Sequence, residues 1–204
     1  KQDRITQVPN KTKITLISAT ISQASATNHS AQSDEELASL ARSGQIRAFD
    51  ELVRRHWAGI RRFLLGYLPH GPSDDIAQET FLRAYRKIEQ YDGSRLFLPW
   101  LFTIARRLAL NEIRSKKRKR EVSLPDYSLE EIPVTKPPSF GPLWQLAKDR
   151  LSADSYAVLR LHYAEDLSIE EVAKVLGKGK IATKVMLHRA RRKLSTFAEQ
   201  LKEN

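Results

Sequence analysis

The chemistry of this chain is concentrated in its cations. From Lys178 to Lys193 there are seven Lys or Arg and no acid, and Thr183, Leu187, Ala190 and Leu194 recur on one stripe. A helix with that pattern packs one face and offers the other to a polyanion or, as the plain alternative, to solvent in an ordinary bundle. Lys180, Lys184, His188, Arg189, Arg191 and Arg192 are the residues left for phosphates and base edges, and phosphate contacts of this kind make affinity fall steeply with salt. The preceding stretch pairs Ser168 with Glu171 in a capping box, carries Ile169, Val172, Ala173 and Leu176 at helical spacing, and stops at Gly177. Helix, glycine turn and helix in that order predict a helix-turn-helix whose second helix can lie in a major groove.

A second cationic segment, Pro99 to Arg120, holds eight Lys or Arg against Glu112 and begins beside Phe97, Trp100 and Phe102. Cations interleaved with aromatics suit unstacked bases, which offer a face to stack on and a phosphate to neutralise. The same aromatic spacing is equally that of a helix core. The third feature is acidic. In DDIAQETFLRAY, residues 74 to 85, Asp75, Gln78 and Glu79 share a helix face and Glu79 is placed to pair with Arg83. If a basic chain of this kind binds nucleic acid, this face points elsewhere, toward a basic protein surface or toward solvent.

Catalysis finds no support. The five histidines show no ligand spacing, and neither a phosphate-cradling glycine loop nor a nucleophile elbow occurs. Without cysteine, disulfides, thiolate zinc sites and a catalytic thiol are excluded. No metal or other cofactor is expected, and the chain is read as a non-enzyme.

The elements that position these residues follow from length and periodicity. The chain has 204 residues with 35 Lys plus Arg against 24 Asp plus Glu, a formal charge of +11, which fits one or two small domains that bind nucleic acid or, second, a membrane surface. No apolar run approaches the ~18 residues of a membrane-spanning helix. Residues 1–32 hold nine Ser or Thr and no aromatic and predict a flexible tail; a targeting segment is the weaker reading, because its apolar stretch is short and interrupted. Ser33 with Glu36 opens a first helix that ends near Gly44, and Phe49, Leu52, Val53, Trp57, Ile60, Phe63, Leu64 and Tyr67 predict a long one over 46–68, stopped by Pro69 and Pro72. Asp74 and Asp75 start a third, with Ala77, Thr80, Phe81, Ala84 and Ile88 inward, and Pro99 starts a fourth that runs into KKRKR. Residues 121–142 contain five of the nine prolines and four acids, a connector between domains. Beyond it come two short helices, the helix-turn-helix and a last helix over about 180–200. The expected fold is all-α: a tail at 1–32, a first helical domain at 33–120, a linker at 121–142 and a second domain at 143–204.

Taken together, these segments resemble the extracytoplasmic-function group of bacterial sigma factors, the small initiation subunits of RNA polymerase. AFDELVRRHWAGIRRFLLGYL, DDIAQETFLRAYRKIEQYD, FLPWLFTIARRLALNEIRSKKRK and LSIEEVAKVLGKGKIATKVMLHRARRKL resemble, in order, the opening, most recognisable and promoter-melting parts of that family's domain two and the helix-turn-helix of its domain four. The resemblance implies that Asp75, Gln78, Glu79 and Arg83 dock on the clamp helices of the polymerase largest subunit, with the flap as a further core contact. It implies that Arg95, Phe97, Trp100, Arg107, Asn111, Arg114 and Arg118 read the −10 element, and that Lys180, Lys184, His188, Arg189 and Arg192 serve the −35 element. An anti-sigma partner and a cytoplasmic location are implied as well. The departures are these: Arg107 occupies a place where relatives usually have Asn, Asn111 one often held by Asp, and Ala182, Val185 and Met186 replace polar groups of the usual S-x-G-T-V-K-S-R-L pattern. Thymine-methyl contacts could replace some hydrogen bonds there, but phosphate anchoring is expected to outweigh base readout. The rival reading is a free-standing helix-turn-helix regulator that works without polymerase.

Overall fold

A computed structural model describes residues 31–69, 71–122 and 141–200. All but the last two residues of the tail expected at 1–32, and most of the proline-rich connector, lie outside these residues. Among the described residues there are eight α-helices and no strand.

Helix α1, Asp34–Arg42, is closed at its start by the capping box: Ser33 Oγ accepts the Glu36 amide at 3.2 Å, and Glu36 Oε2 accepts the Ser33 amide at 2.8 Å. It turns at Gly44, whose φ of +93° is a conformation that side chains with a Cβ rarely adopt. Helix α2, Ile46–Tyr67, buries Phe49, Leu52, Ile60, Phe63 and Leu64 along one stripe and ends before Pro69. Arg55 donates to the Gln32 carbonyl at 2.8 Å and to Asp34 at 3.0 Å, and His56 meets Asp34 at 2.6 Å, so α1 is clipped to α2.

Helix α3, Ser73–Arg86, has Asp74 and Asp75 in its first turn, where the unpaired amides favour negative charge. Ala77, Thr80, Phe81 and Ala84 are its buried face, and Ile88 follows inside a short 3-10 turn, Ile88–Gln90. Helix α4 runs from Phe97 to Val122, starting two residues before the expected Pro99 and ending two residues inside the expected linker. Pro99 is tolerated because the first turn needs no amide donors.

The second group of helices comprises α5, Pro142–Arg150; α6, Ala153–Tyr163; α7, Ile169–Leu176; and α8, Lys180–Gln200. The linker thus yields its last residue, Pro142, to α5. Ser152 caps α6, and Ser168 with Glu171 forms the expected capping box on α7. Gly177 closes α7 at φ +59°.

Rather than standing apart, the two groups share a core. Helix α6 packs on α2 and α7 on α4. Tyr156 of α6, fully buried, lies in a notch at Gly66 of α2 and donates its hydroxyl to the Arg62 carbonyl at 3.1 Å. Beside it Asp154 accepts from Tyr67 Oη at 2.9 Å and pairs with Lys178 at 3.2 Å and Arg106 at 3.5 Å. At the other end of the contact Glu165 sits over Gly59 and pairs with the buried Arg160 at 3.2 Å, whose guanidinium lies over the Trp144 ring at 5.0 Å.

Candidate nucleic-acid interface

Three surfaces carry the residues singled out by sequence. On α3, Asp75 is exposed and Gln78 and Glu79 are half-buried beside it. Glu79 accepts from Arg83 Nε at 2.6 Å, the expected pair one turn apart. Arg61 of α2 grips both Asp74 oxygens, through Nε and, at 3.1 Å, through Nη2, which fixes the start of α3 and leaves Asp75 outward. The result is a held strip of Asp75, Gln78, Glu79 and Arg83.

The second surface is the loop before α4 and the outer side of α4 itself. Asp92 Oδ1 accepts the Ser94 amide at 3.1 Å, and its other oxygen pairs with Arg95 at 3.2 Å, so the loop carries an exposed cation in a shaped turn. The Ser94 contact holds the Asp92 carboxyl below its ordinary value. Tyr91 closes the turn by donating its hydroxyl to the Arg95 carbonyl, and the Phe97 amide donates to Glu35 at 3.1 Å. Along α4, Arg107, Asn111, Arg114 and Arg118 are all exposed. Their spacing of four, three and four places them on one stripe.

Phe97 is a correction. Its side chain is 0% exposed, packed edge-on against Tyr91 at 5.7 Å and tilted against Trp100 at 5.6 Å, so no ring face is left for a base. An aromatic at the first turn of a long amphipathic helix has more area to bury in the core than on a ligand. Trp100 is only half-buried in the same cluster, tilted against Tyr91 at 5.2 Å. Arg106, adjacent to the stripe, turns the other way: its Nε donates to Tyr67 Oη at 3.2 Å within the contact between the two helix groups.

The third surface is α8. Thr183, Leu187, Ala190 and Leu194 are buried as the stripe predicted, and Thr183 Oγ1 donates to the Gly179 carbonyl at 3.0 Å, tying the helix start to the turn. Lys184, His188, Arg189 and Arg192 are exposed. Lys180 is exposed too, but its ammonium pairs with Glu170 of α7, an arrangement that holds the Glu170 carboxyl below its ordinary value. Sequence reasoning passed over Ile181, which is 81% exposed; its placement opposite the buried stripe was the available signal. Among the described residues no group of three or more acidic or histidine side chains could hold a metal, and no helix is long and apolar enough to cross a membrane.

The geometry is that of two cationic helical faces suited to a polyanion and a separate acidic strip that is not. Comparison with known proteins agrees in register. Residues 52–119 match the family Sigma-70 region 2, and residues 143–194 match Sigma-70, region 4. The chain is 31% identical over 180 residues to RNA polymerase sigma factor NccH of Alcaligenes xylosoxydans xylosoxydans, covering 81% of this chain and 95% of that protein. It is 32% identical over 155 residues to ECF RNA polymerase sigma factor SigM of Bacillus subtilis, covering 72% and 93%. Its fold is similar to that of CnrH solved in complex with the cytosolic domain of CnrY, with a TM-score of 0.59 and 26% identity over 82% of this chain and 97% of that one.

Proposed function

This chain belongs to the ECF RNA polymerase sigma factors, and from that premise we propose how its three surfaces divide the work of initiation. As a sigma factor it directs RNA polymerase to promoters. The acidic strip of α3 docks on core polymerase: Asp75 and Glu79 supply the charge, Gln78 a neutral amide between them, and the Glu79–Arg83 pair orients the strip. The clamp helices of the largest subunit are the receiving surface, with the flap contacting the second helix group.

The −10 element is engaged by the loop at Arg95 and by the α4 stripe of Arg107, Asn111, Arg114 and Arg118, with the half-buried Trp100 beside them for an unstacked base. The cations neutralise phosphates of the opened strand, and Asn111 supplies the one neutral donor and acceptor on the stripe. The −35 element is engaged as duplex by α8 through Lys180, Lys184, His188, Arg189 and Arg192. Work of this kind places the protein in the cytoplasm with core polymerase and genomic DNA. The CnrH structure, solved with the cytosolic domain of CnrY, supports a protein partner for this chain, which we propose to be of anti-sigma type.

One observation carries the reading: each matched region contributes one exposed cationic helix face, and the acidic strip lies on neither of those two helices. Reconstituted transcription tests it. With core polymerase the chain should co-purify and start transcripts at specific genomic sites. Promoter binding by the free chain together with no effect on core polymerase would favour the free-standing regulator instead.

A further inference from the structure

At 81% exposure Ile181 is the most open of the large apolar side chains described, and Val185, at 43%, stands one turn further along α8. At about 100° per residue the two are about 40° apart, opposite the buried stripe of Thr183, Leu187, Ala190 and Leu194. Ala182 is exposed beside them. It lines a shallow concavity with Val185, Met186, Arg189 and Ser155 of α6. On the same outward face, two to three turns on, the chemistry changes to His188, Arg189 and Arg192, with Lys184 on the flank and no acid anywhere from Lys178 to Lys193. The N-terminal turns of α8 are therefore apolar outward, and the later turns are cationic.

In a helix-turn-helix the N-terminal residues of the second helix reach the base edges, and the rest follow the backbone. Ile, Val and Ala have neither donor nor acceptor to offer. Pressed against the edge of a G·C pair they would strip water from its polar groups and return nothing, which disfavours that pairing. The major-groove edges present one apolar group, the C5-methyl of thymine. An apolar helix from a protein partner would match the strip but leave the cationic turns without countercharge, whereas a duplex satisfies both at once.

We infer that α8 reads its duplex target through thymine methyl groups, with Ile181, Ala182 and Val185 forming the base-facing strip while Lys184, Arg189 and Arg192 hold the flanking phosphates. This rests on the placement of α8 on the −35 element proposed above. Specificity at those positions is then for T·A over G·C pairs and is set by shape and desolvation.

The test uses the full chain with core polymerase. Selection over a randomised −35 window gives the preferred promoter, which is then prepared with deoxyuridine for thymidine, removing the methyl and keeping the pairing. The selected window should carry T·A pairs, and each contacted methyl should contribute about fourfold to promoter binding, the factor expected for burying one methyl-sized group. Ile181→Ser combined with Val185→Ser, both at exposed positions, should keep the helical circular dichroism and lose most of the discrimination between the two promoters, leaving only the share due to Ala182. Equal binding by the unaltered chain, or a selected window without T·A pairs, overturns the inference. A companion variant, Lys184→Ala with Arg192→Ala, separates this from the reading beneath it: the slope of log affinity against log salt should drop by about one per phosphate contact removed. A reduced slope with thymine and uracil bound alike sinks the methyl readout alone; an unchanged slope sinks the placement of α8 on duplex as well.

Discussion

Tyr156 lies so close to Gly66 that a Cβ at position 66 would fall 2.2 Å from the ring's Cδ1 and 2.8 Å from Cε1. The ring is fully buried and held by its hydroxyl on the Arg62 carbonyl, so it cannot swing aside cheaply. Glycine is required here for close approach, since the backbone is ordinary helix. Gly66→Ala should lower stability by about 1–3 kcal/mol through overpacking. In a Tyr156→Ala background, where the ring is gone, the same substitution should cost far less, and thermal unfolding of the four proteins of that cycle decides it. Equal penalties in both backgrounds would mean that Tyr156 does not occupy the notch.

Asp154 sets a pH dependence at the same contact. Burial alone would raise its carboxyl, but the Tyr67 hydroxyl, Lys178 and the Arg106 guanidinium outweigh burial and hold it below its ordinary value. A carboxylate lowered in the folded state contributes stability that is fully present above its unfolded value and is lost as pH falls through the folded one. Asp154→Asn should therefore be less stable at neutral pH and show a flatter melting-temperature curve between about pH 6 and pH 3. A curve parallel to that of the unaltered chain would show that Asp154 is not the titrating group.

The helices and caps were legible in the sequence because they rest on local rules. Ser33 with Glu36, Ser168 with Glu171, Gly177 and the α8 stripe each encode their role within a few residues, and each is found where expected. The contact between the helix groups was not legible, since Gly59, Gly66, Asp154 and Glu165 are separated by about a hundred positions and none is unusual in its own segment. Phe97 was misread for a related reason: an aromatic beside a cationic helix has the same pattern whether it stacks on a base or on Tyr91, and only the fold decides. Arg106 and Arg107 are neighbours in a basic run, yet one serves the internal contact with Asp154 and the other faces outward.

That division makes a pair of opposite expectations for α4. Arg107→Ala with Arg114→Ala should leave thermal stability nearly unchanged, since both side chains are exposed, while weakening open-complex formation and reducing its salt dependence. Phe97→Ala should instead lower stability by about 3–5 kcal/mol, the range for deleting a fully buried aromatic. If Phe97→Ala folded normally and failed only in promoter opening, the ring would belong to the DNA after all.

For the α3 strip, reversing charge is the sharpest change. Asp75→Arg with Glu79→Arg should weaken association with core polymerase by at least tenfold in a pull-down or fluorescence titration, because two attractions become two repulsions. The helix should persist, as its buried face of Ala77, Thr80, Phe81 and Ala84 is untouched. Undiminished association would remove α3 from the docking surface.

Glu170 competes with DNA for Lys180. The ammonium is paired with this carboxylate across the turn of the helix-turn-helix, both groups are exposed, and a phosphate approaching Lys180 must displace Glu170 and lie near its negative charge. Solvent screening makes such a pair weak, so the fold should not depend on it. Glu170→Gln keeps the shape and removes the charge, freeing Lys180 and lifting the repulsion together. Duplex affinity should rise, by up to about fivefold at low salt, with the gain shrinking as salt increases because the competing interactions are electrostatic. Lys180→Gln should lower affinity, and adding Glu170→Gln to it should recover only the part due to repulsion. A gain in the Lys180→Gln background as large as in the unaltered chain would show that Glu170 repels the duplex without holding Lys180 back.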